Sequence, residues 1–247
     1  MFSIFKKKPD TVDLSFIGVD MHSHLLPALD DGLQTVADSV SFIKELYALG
    51  YKKLICTPHI LSGVHNNSPQ TILPALEKIR KELIRQNIPV QIEAAAEYMV
   101  DHEFDLLIEK KEPLLTFGKK NYILIEMSYV AASPNIENVI FQLKLLGLHP
   151  VIAHPERYNY YHEKFDVYTD LKDRGCFFQV NFLSLSGYYG YQVKHAAEKL
   201  MHYGMIDFIG TDMHHVNHLR ALKESVAHKS VRETIRKAEL LNLTLLD

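Results

Sequence analysis

Cysteine is scarce in this chain, with only Cys56 and Cys176 among 247 residues, in neither a zinc-finger nor a redox spacing. That excludes a disulfide framework and fits a reducing, cytoplasmic setting. Charge of one sign is lacking too: a formal net charge of −3 gives no overall basic field of the kind that drives nucleic-acid affinity, so nucleic acid is not an expected partner. Long hydrophobic runs are missing from the opening Met1-Phe2-Ser3-Ile4-Phe5-Lys6-Lys7-Lys8-Pro9. Its apolar element is too short for a signal peptide or an integral membrane segment, and residues 1–14 read as a tail whose lysines offer at most a weak attraction to a membrane surface. Internal repeats, low-complexity segments and Gly/Ser linkers are also lacking. Residues 15–247 are therefore expected to form a single domain, and 47% hydrophobic residues suffice for a substantial core.

What is present is alternation. Apolar, β-branched runs stand at 16–20, 53–57, 90–95, 122–127, 150–153, 177–181 and 206–211. Between them, Val36, Val40, Ile43 and Tyr47 share one helical face, as do Ile72, Leu76, Ile79 and Leu83, and then Ile136, Ile140, Leu143 and Leu146. Ser68-Pro69 and Ser133-Pro134 read as helix starts, and Gly50, Gly147 and Gly204 as stops. Phe104 and Ile108 suggest a shorter helix, and 231–245 a terminal one. Seven strands with intervening helices make either an open doubly wound sheet or a closed parallel (β/α) barrel. The placement of the polar residues favours the barrel.

Barrel enzymes build their sites where strands end. Here the first run leads into His22-Ser23-His24 and Asp30-Asp31-Gly32, the second to His59, the third to Glu97, the fourth to Glu126, the fifth to His154, the sixth to Asn181 and the seventh to Asp212 and His214. Residues two apart on a strand project from one face, so His22 and His24 are able to serve one ion. Each of the others alone has a bland explanation as a loop or core residue. Together they put an imidazole or carboxylate at six of seven strand ends. Burying so many ionisable groups without cations costs several kcal/mol per ionised group, so a multinuclear cluster is the simpler reading. Glu97, Asp31 or Asp212 are the candidate bridging carboxylates, and the mixed nitrogen and oxygen donors suit manganese, iron or zinc.

These motifs, with Asp20-Met21-His22-Ser23-His24, Thr57-Pro58-His59, Glu97-Tyr98, His154-Pro155-Glu156-Arg157 and Thr211-Asp212-Met213-His214 in order, resemble those of the PHP (polymerase and histidinol phosphatase) superfamily. Within it the chain is similar to the manganese-dependent bacterial tyrosine phosphatases of capsular and exopolysaccharide synthesis. The resemblance implies a distorted seven-stranded TIM-like (β/α) barrel. It also implies two or three metals held by His22, His24, Asp31, His59, Glu97, Glu126, His154, Asp212 and His214, with Asp30 a neighbour of the ligands. As partner it implies a phosphotyrosine protein, in particular a bacterial tyrosine autokinase.

The chemistry such a cluster supports is phosphomonoester hydrolysis by a metal-activated hydroxide, with phenolate as a good leaving group. Arg157 is placed to bind phosphate oxygens through its planar fork, and Arg220 to assist. A cysteine phosphatase needs an arginine six residues after its nucleophile, but Ser62 and Phe182 stand at that offset from Cys56 and Cys176. Tyr158, Tyr160, Tyr161, Phe182, Tyr188, Tyr189 and Tyr191 are candidates to hold an aromatic substrate. The alternatives are a small-molecule phosphatase such as histidinol phosphatase, a PHP nuclease, and a non-catalytic metal-binding interaction module.

Overall fold

The computed structural model describes residues 13–246, so most of the tail expected at 1–14 lies outside the described residues. The chain alternates short strands with helices: β1 (Val19–Asp20), α1 (Val36–Ala48), β2 (Lys53–Cys56), β3 (His59–Ile60), α2 (Pro69–Arg85), β4 (Gln91–Ala94), β5 (Glu97–Met99), α3 (His102–Glu109) and β6 (Tyr122–Glu126). There follow α4 (Ile136–Leu145), β7 (His149–Ala153), α5 (Asp166–Asp173), β8 (Phe177–Asn181), α6 (Phe182–Ser186), α7 (Tyr191–His202), β9 (Phe208–Gly210), α8 (Val216–Ala227) and α9 (Lys229–Arg236). All named strand pairs are parallel, in a three-stranded sheet of order β1-β2-β4 and a six-stranded sheet of order β3-β5-β6-β7-β8-β9. The fold is thus α/β with parallel strands.

The seven apolar runs appear as nine strands because two paths bend. Strand β2 passes through Thr57-Pro58 into β3, and β4 through Ala95-Ala96 into β5. Proline cannot donate to a ladder and so marks such a break. The bent paths stay paired, with Ala95 N–H donating to Cys56 O (2.8 Å) and Glu97 N–H to Pro58 O (3.1 Å). At the other edge, Ser23 bridges Met213 in parallel beyond the ends of β1 and β9.

Along each strand the side chains alternate between two cores. Val19, Ile55, Tyr122, Leu124, Val151, Ala153 and Phe208 meet in one buried cluster. Ile123, Ile125, Ile152, Phe178 and Ile209 turn the other way, into the cluster shared with the helices. The predicted face of α2 is buried as expected, but the faces of α1 and α4 are rotated slightly. Helix α1 buries Val40, Ile43 and Leu46 and leaves Tyr47 exposed, while Leu146 falls just past α4 and is exposed. The α4 helix also starts later than Ser133-Pro134, with Asn135 as its cap. Cys56 and Cys176 are buried and free.

The expected terminal helix over 231–245 is corrected: α9 ends at Arg236 and a 3-10 turn covers Asn242–Leu245. Past the helix the chain bonds to the sheet instead, with Leu241 N–H donating to Asp207 O (2.8 Å) and Asn242 following. Its buried amide donates to Val19 O (2.9 Å) and Ile209 O (2.7 Å) and accepts from Ile209 N–H (3.0 Å), joining β1 to β9 where no ladder does. Removing it leaves buried backbone groups unpaired. Asn242→Ala is therefore expected to lower stability by about 2–3 kcal/mol in urea unfolding, whereas a change below about 0.5 kcal/mol, less than one net hydrogen bond, would mean the seam does not depend on this side chain.

Candidate metal centre

The strands and the loops that follow them bring the nine predicted ligands to one place: His59, Glu97 and Glu126 lie in β3, β5 and β6, and the other six lie outside the strands. Backbone bonds from Asp212 N–H to His22 O (2.8 Å), His24 N–H to Met213 O (3.0 Å) and Thr57 N–H to Ser23 O (2.8 Å) stitch three segments side by side. Two close approaches require glycine here. A Cβ on Gly32 would lie 2.3 Å from His24 O, and one on Gly210 2.7 Å from His22 Cβ. His154 and Asp212 adopt left-handed backbone conformations, with φ of 33° and 50°. For a non-glycine residue that costs about 1–3 kcal/mol each, a price usually met at functional sites.

The donor atoms fall into four overlapping sets within 4.8 Å: His24, Asp31, His59 and His214; His22, His24 and Asp212; His22, Glu97 and His154; His59, Glu97 and Glu126. One oxygen, Glu97 Oε2, lies 3.1 Å from His22 Nε2, 3.3 Å from His24 Nε2 and 3.2 Å from His59 Nδ1. The other, Oε1, lies 3.0 Å from His154 Nε2. His22 Nε2 and His24 Nε2 face each other at 3.3 Å. Lone pairs of several imidazoles and carboxylates aimed at shared points need positive charge between them. Divalent ions with mixed nitrogen and oxygen ligation meet that need, so the residues fit the group. His59 offers a nitrogen to each of two sets, but a neutral imidazole has one free lone pair and serves one.

A layer of hydrogen bonds behind the ligands sets their orientation. His22 Nδ1–H donates to Gln179 Oε1 (2.7 Å), and that oxygen also accepts from His154 N–H (3.2 Å). Gln179 donates to Asn181 Oδ1 (2.8 Å), and Asn181 donates to Asp212 Oδ2 (2.7 Å). His24 Nδ1–H donates to Asp30 Oδ2 (2.7 Å), so Asp30 orients a ligand while Asp31 faces His214 Nε2 at 3.5 Å. Asp20 accepts from the Thr211 amide (2.8 Å) and hydroxyl (2.6 Å), anchoring the Asp212 loop.

Gln179 has a role that inspection of strand ends does not reveal. The signal for it is alternation, since Gln179 and Asn181 are the two polar residues two apart in Phe177-Phe178-Gln179-Val180-Asn181 and share a face. Arg157 Nη1 lies 3.3 Å from Asp212 Oδ2, at the centre. Arg220 is not brought there: it is exposed on α8 and donates to Asn217, because the helix turns it away from the loop. Among the tyrosines, Tyr158 is buried and its hydroxyl oxygen accepts from Met127 N–H (2.9 Å), while Tyr160 donates to Ser128 O (2.9 Å). Both pack the loop. Phe182 is wholly buried, and Tyr191 is exposed on α7.

The family model described as "Capsular polysaccharide synthesis, CpsB/CapC" matches residues 18–243. The chain belongs to the CpsB/CapC family. Its CpsB/CapC relatives include YwqE of Bacillus subtilis (strain 168), named a tyrosine-protein phosphatase, which is 33% identical over 80% of this chain and 78% of its own length. CpsB of Streptococcus pneumoniae, also named a tyrosine-protein phosphatase, is 26% identical over 81% of this chain and 84% of its own. A solved structure from work on YwqE and the S. pneumoniae CpsB, described as unique metal-dependent tyrosine phosphatases, superposes with a TM-score of 0.77 at 30% identity. It covers 91% of this chain and 94% of that one.

The electrostatics of the CpsB/CapC centre yield a measurable consequence. Burial disfavours the charged imidazole of His22, but Glu97 and Asp212 outweigh it and push its pKa up to about 10. Burial likewise opposes charge on His59, which Glu97 and Glu126 raise to about 10, and on His214, which Asp212 and Asp31 raise to about 9. Without metal these rings hold protons at pH 7, and a metal binds only the deprotonated nitrogen. Binding of a divalent metal at pH 7 is therefore expected to release protons and to tighten as pH rises towards 9. Calorimetry in buffers of different ionisation enthalpy checks this, and a binding enthalpy independent of buffer would contradict it.

Proposed function

We propose that this chain is a metal-dependent protein-tyrosine phosphatase that hydrolyses phosphotyrosine on a protein involved in regulating capsular or exopolysaccharide synthesis. The observation that carries the reading is the convergence of nine ligand side chains in four overlapping sets, with Arg157 reaching Asp212 beside them. Family membership supports the activity, since relatives over most of the chain's length are named tyrosine-protein phosphatases. We take the metal to be manganese, in two or three ions, with iron or zinc as substitutes in the same donor set. The ligands are His22, His24, Asp31, His59, Glu97, Glu126, His154, Asp212 and His214.

The architecture behind the site is read as one distorted seven-stranded (β/α) barrel, in a single domain over 15–247. Three features support closure: the two bent paths, the Ser23–Met213 bridge and the central cluster drawing side chains from β1, β2, β6, β7 and β9. The substrate partner is taken to be a bacterial tyrosine autokinase in the cytoplasm. No helix among the described residues is long and apolar enough to cross a membrane.

Bound divalent ions supply an acidified water and positive charge for the phosphoryl oxygens. The chain's own residues do the rest. Asp30 and Gln179 hold His24 and His22 in the tautomers that present Nε2 inward. Arg157 offers planar donors to phosphoryl oxygens, which a lysine does not reproduce. A tyrosine leaving group, with a phenol pKa near 10, departs as phenolate without a protein acid. Cys56, the rival nucleophile, is buried, and burial drives its thiol pKa upward, away from thiolate.

The test is phosphate release from a phosphotyrosyl peptide and from histidinol phosphate, using metal-stripped protein with added manganese and a chelator control. Manganese-dependent preference for the peptide is expected. Preference for histidinol phosphate would keep the metal chemistry and replace the substrate, and no turnover of either would overturn the reading. Glu97→Ala should abolish turnover, whereas Arg157→Ala should mainly weaken phosphate handling; near-normal activity of the Glu97 variant would contradict the bridging role.

A further inference from the structure

Arg157 is held in an aromatic vise. Its guanidinium carbon lies 4.6 Å from the ring centroid of Tyr129 and 4.3 Å from that of Tyr189. A guanidinium packed against rings keeps its hydrogen-bond donors in its own plane. One of them meets Asp212 at 3.3 Å, so the remaining in-plane edge is what a phosphate can use.

The two rings are anchored differently. Tyr189 packs edge-on against Tyr188 (5.0 Å) and His218 (6.1 Å), and its buried hydroxyl has no hydrogen-bond partner among the described residues. It is held by ring contacts. Tyr129 is tied to the metal centre itself: its hydroxyl lies 3.3 Å from His154 Nε2 and its ring 5.6 Å from the His154 ring. Yet Tyr129 is 46% exposed, and the next residue, Val130, is 91% exposed. The half-exposed ring thus stands between His154, Arg157 and solvent, at the rim of the candidate centre.

We propose that Tyr129 selects aryl over alkyl phosphates by packing its ring against the leaving aryl group, while Tyr189 positions Arg157. The inference rests on the phosphatase reading and deepens it. Aromatic rings attract at centroid separations of about 4.5–7 Å, a contact that the single methylene of a phosphoserine side chain cannot make.

The experiment compares kcat/KM for a phosphotyrosyl and a phosphoseryl peptide of identical flanking sequence in the manganese-loaded wild type, Tyr129→Leu, Tyr129→Phe and Tyr189→Leu. Tyr129→Leu should lower the aryl-to-alkyl ratio about tenfold, of the order of one ring–ring contact, chiefly through the KM for the aryl substrate. Tyr129→Phe should keep the ratio, and Tyr189→Leu should weaken both substrates alike. An unchanged ratio in Tyr129→Leu, or one lost in Tyr129→Phe, overturns the proposal while leaving the phosphatase reading intact. Failure of the wild type on the phosphotyrosyl peptide overturns both. A readout independent of variant folding is inhibition of the wild type by benzylphosphonate and ethylphosphonate: tighter binding of the benzyl compound is expected, and equal inhibition contradicts the aryl wall.

Discussion

The carboxylate of Glu97 sits wholly buried with four imidazole nitrogens within hydrogen-bonding range of its two oxygens. An anion so placed requires cations around it, and much of the surrounding architecture serves that requirement. The bends at Thr57-Pro58 and Ala95-Ala96 make His59 and Glu97 register partners in β3 and β5, rather than leaving them past the ends of β2 and β4. The left-handed backbone at His154 and Asp212 accompanies two more of the candidate ligands. Asn242, from the far end of the chain, joins β1 to β9 beneath the loops that carry His22 and Asp212. Stability and function are thereby coupled, because the seam and the ligand loops share the same strands.

Protons and metals compete for the same nitrogens. In the metal-free centre the carboxylates hold His22, His59 and His214 protonated well above their ordinary range. Divalent ions bound there would replace those protons with more concentrated charge and leave the imidazoles neutral. The orienting layer is what makes the exchange specific: Gln179 and Asp30 bind the Nδ1–H of His22 and His24, so that Nε2 is the nitrogen presented inward. Arg157 adds a fixed positive edge at the rim, locked by two rings rather than by a second ion pair.

Much of this was legible in the sequence because the ligands stand at the ends of apolar runs, and parallel strands bring such ends together. All nine predicted ligands converge, including Asp31 in a loop that no periodicity describes. The misses are of a different kind. The splitting of two runs into four strands depends on local bends of which only Pro58 leaves a mark in the sequence, and the non-helical path after α9 leads to a contact made by Asn242 across 223 residues. Arg220 follows the seventh run, where the family resemblance places an assisting arginine, but it is exposed on α8 and donates to Asn217. Nothing in the sequence marks Tyr129, because the residues it touches, Arg157 and His154, come from a different loop.

The central claim is that several divalent ions, held by this ligand set, perform the hydrolysis. The most direct measurement is the metal content of the active protein, counted per chain by mass spectrometry as manganese is restored to stripped protein, alongside phosphotyrosyl peptide turnover. Activity that rises only as the second or third ion enters is predicted; full turnover with one ion or none per chain would contradict the account.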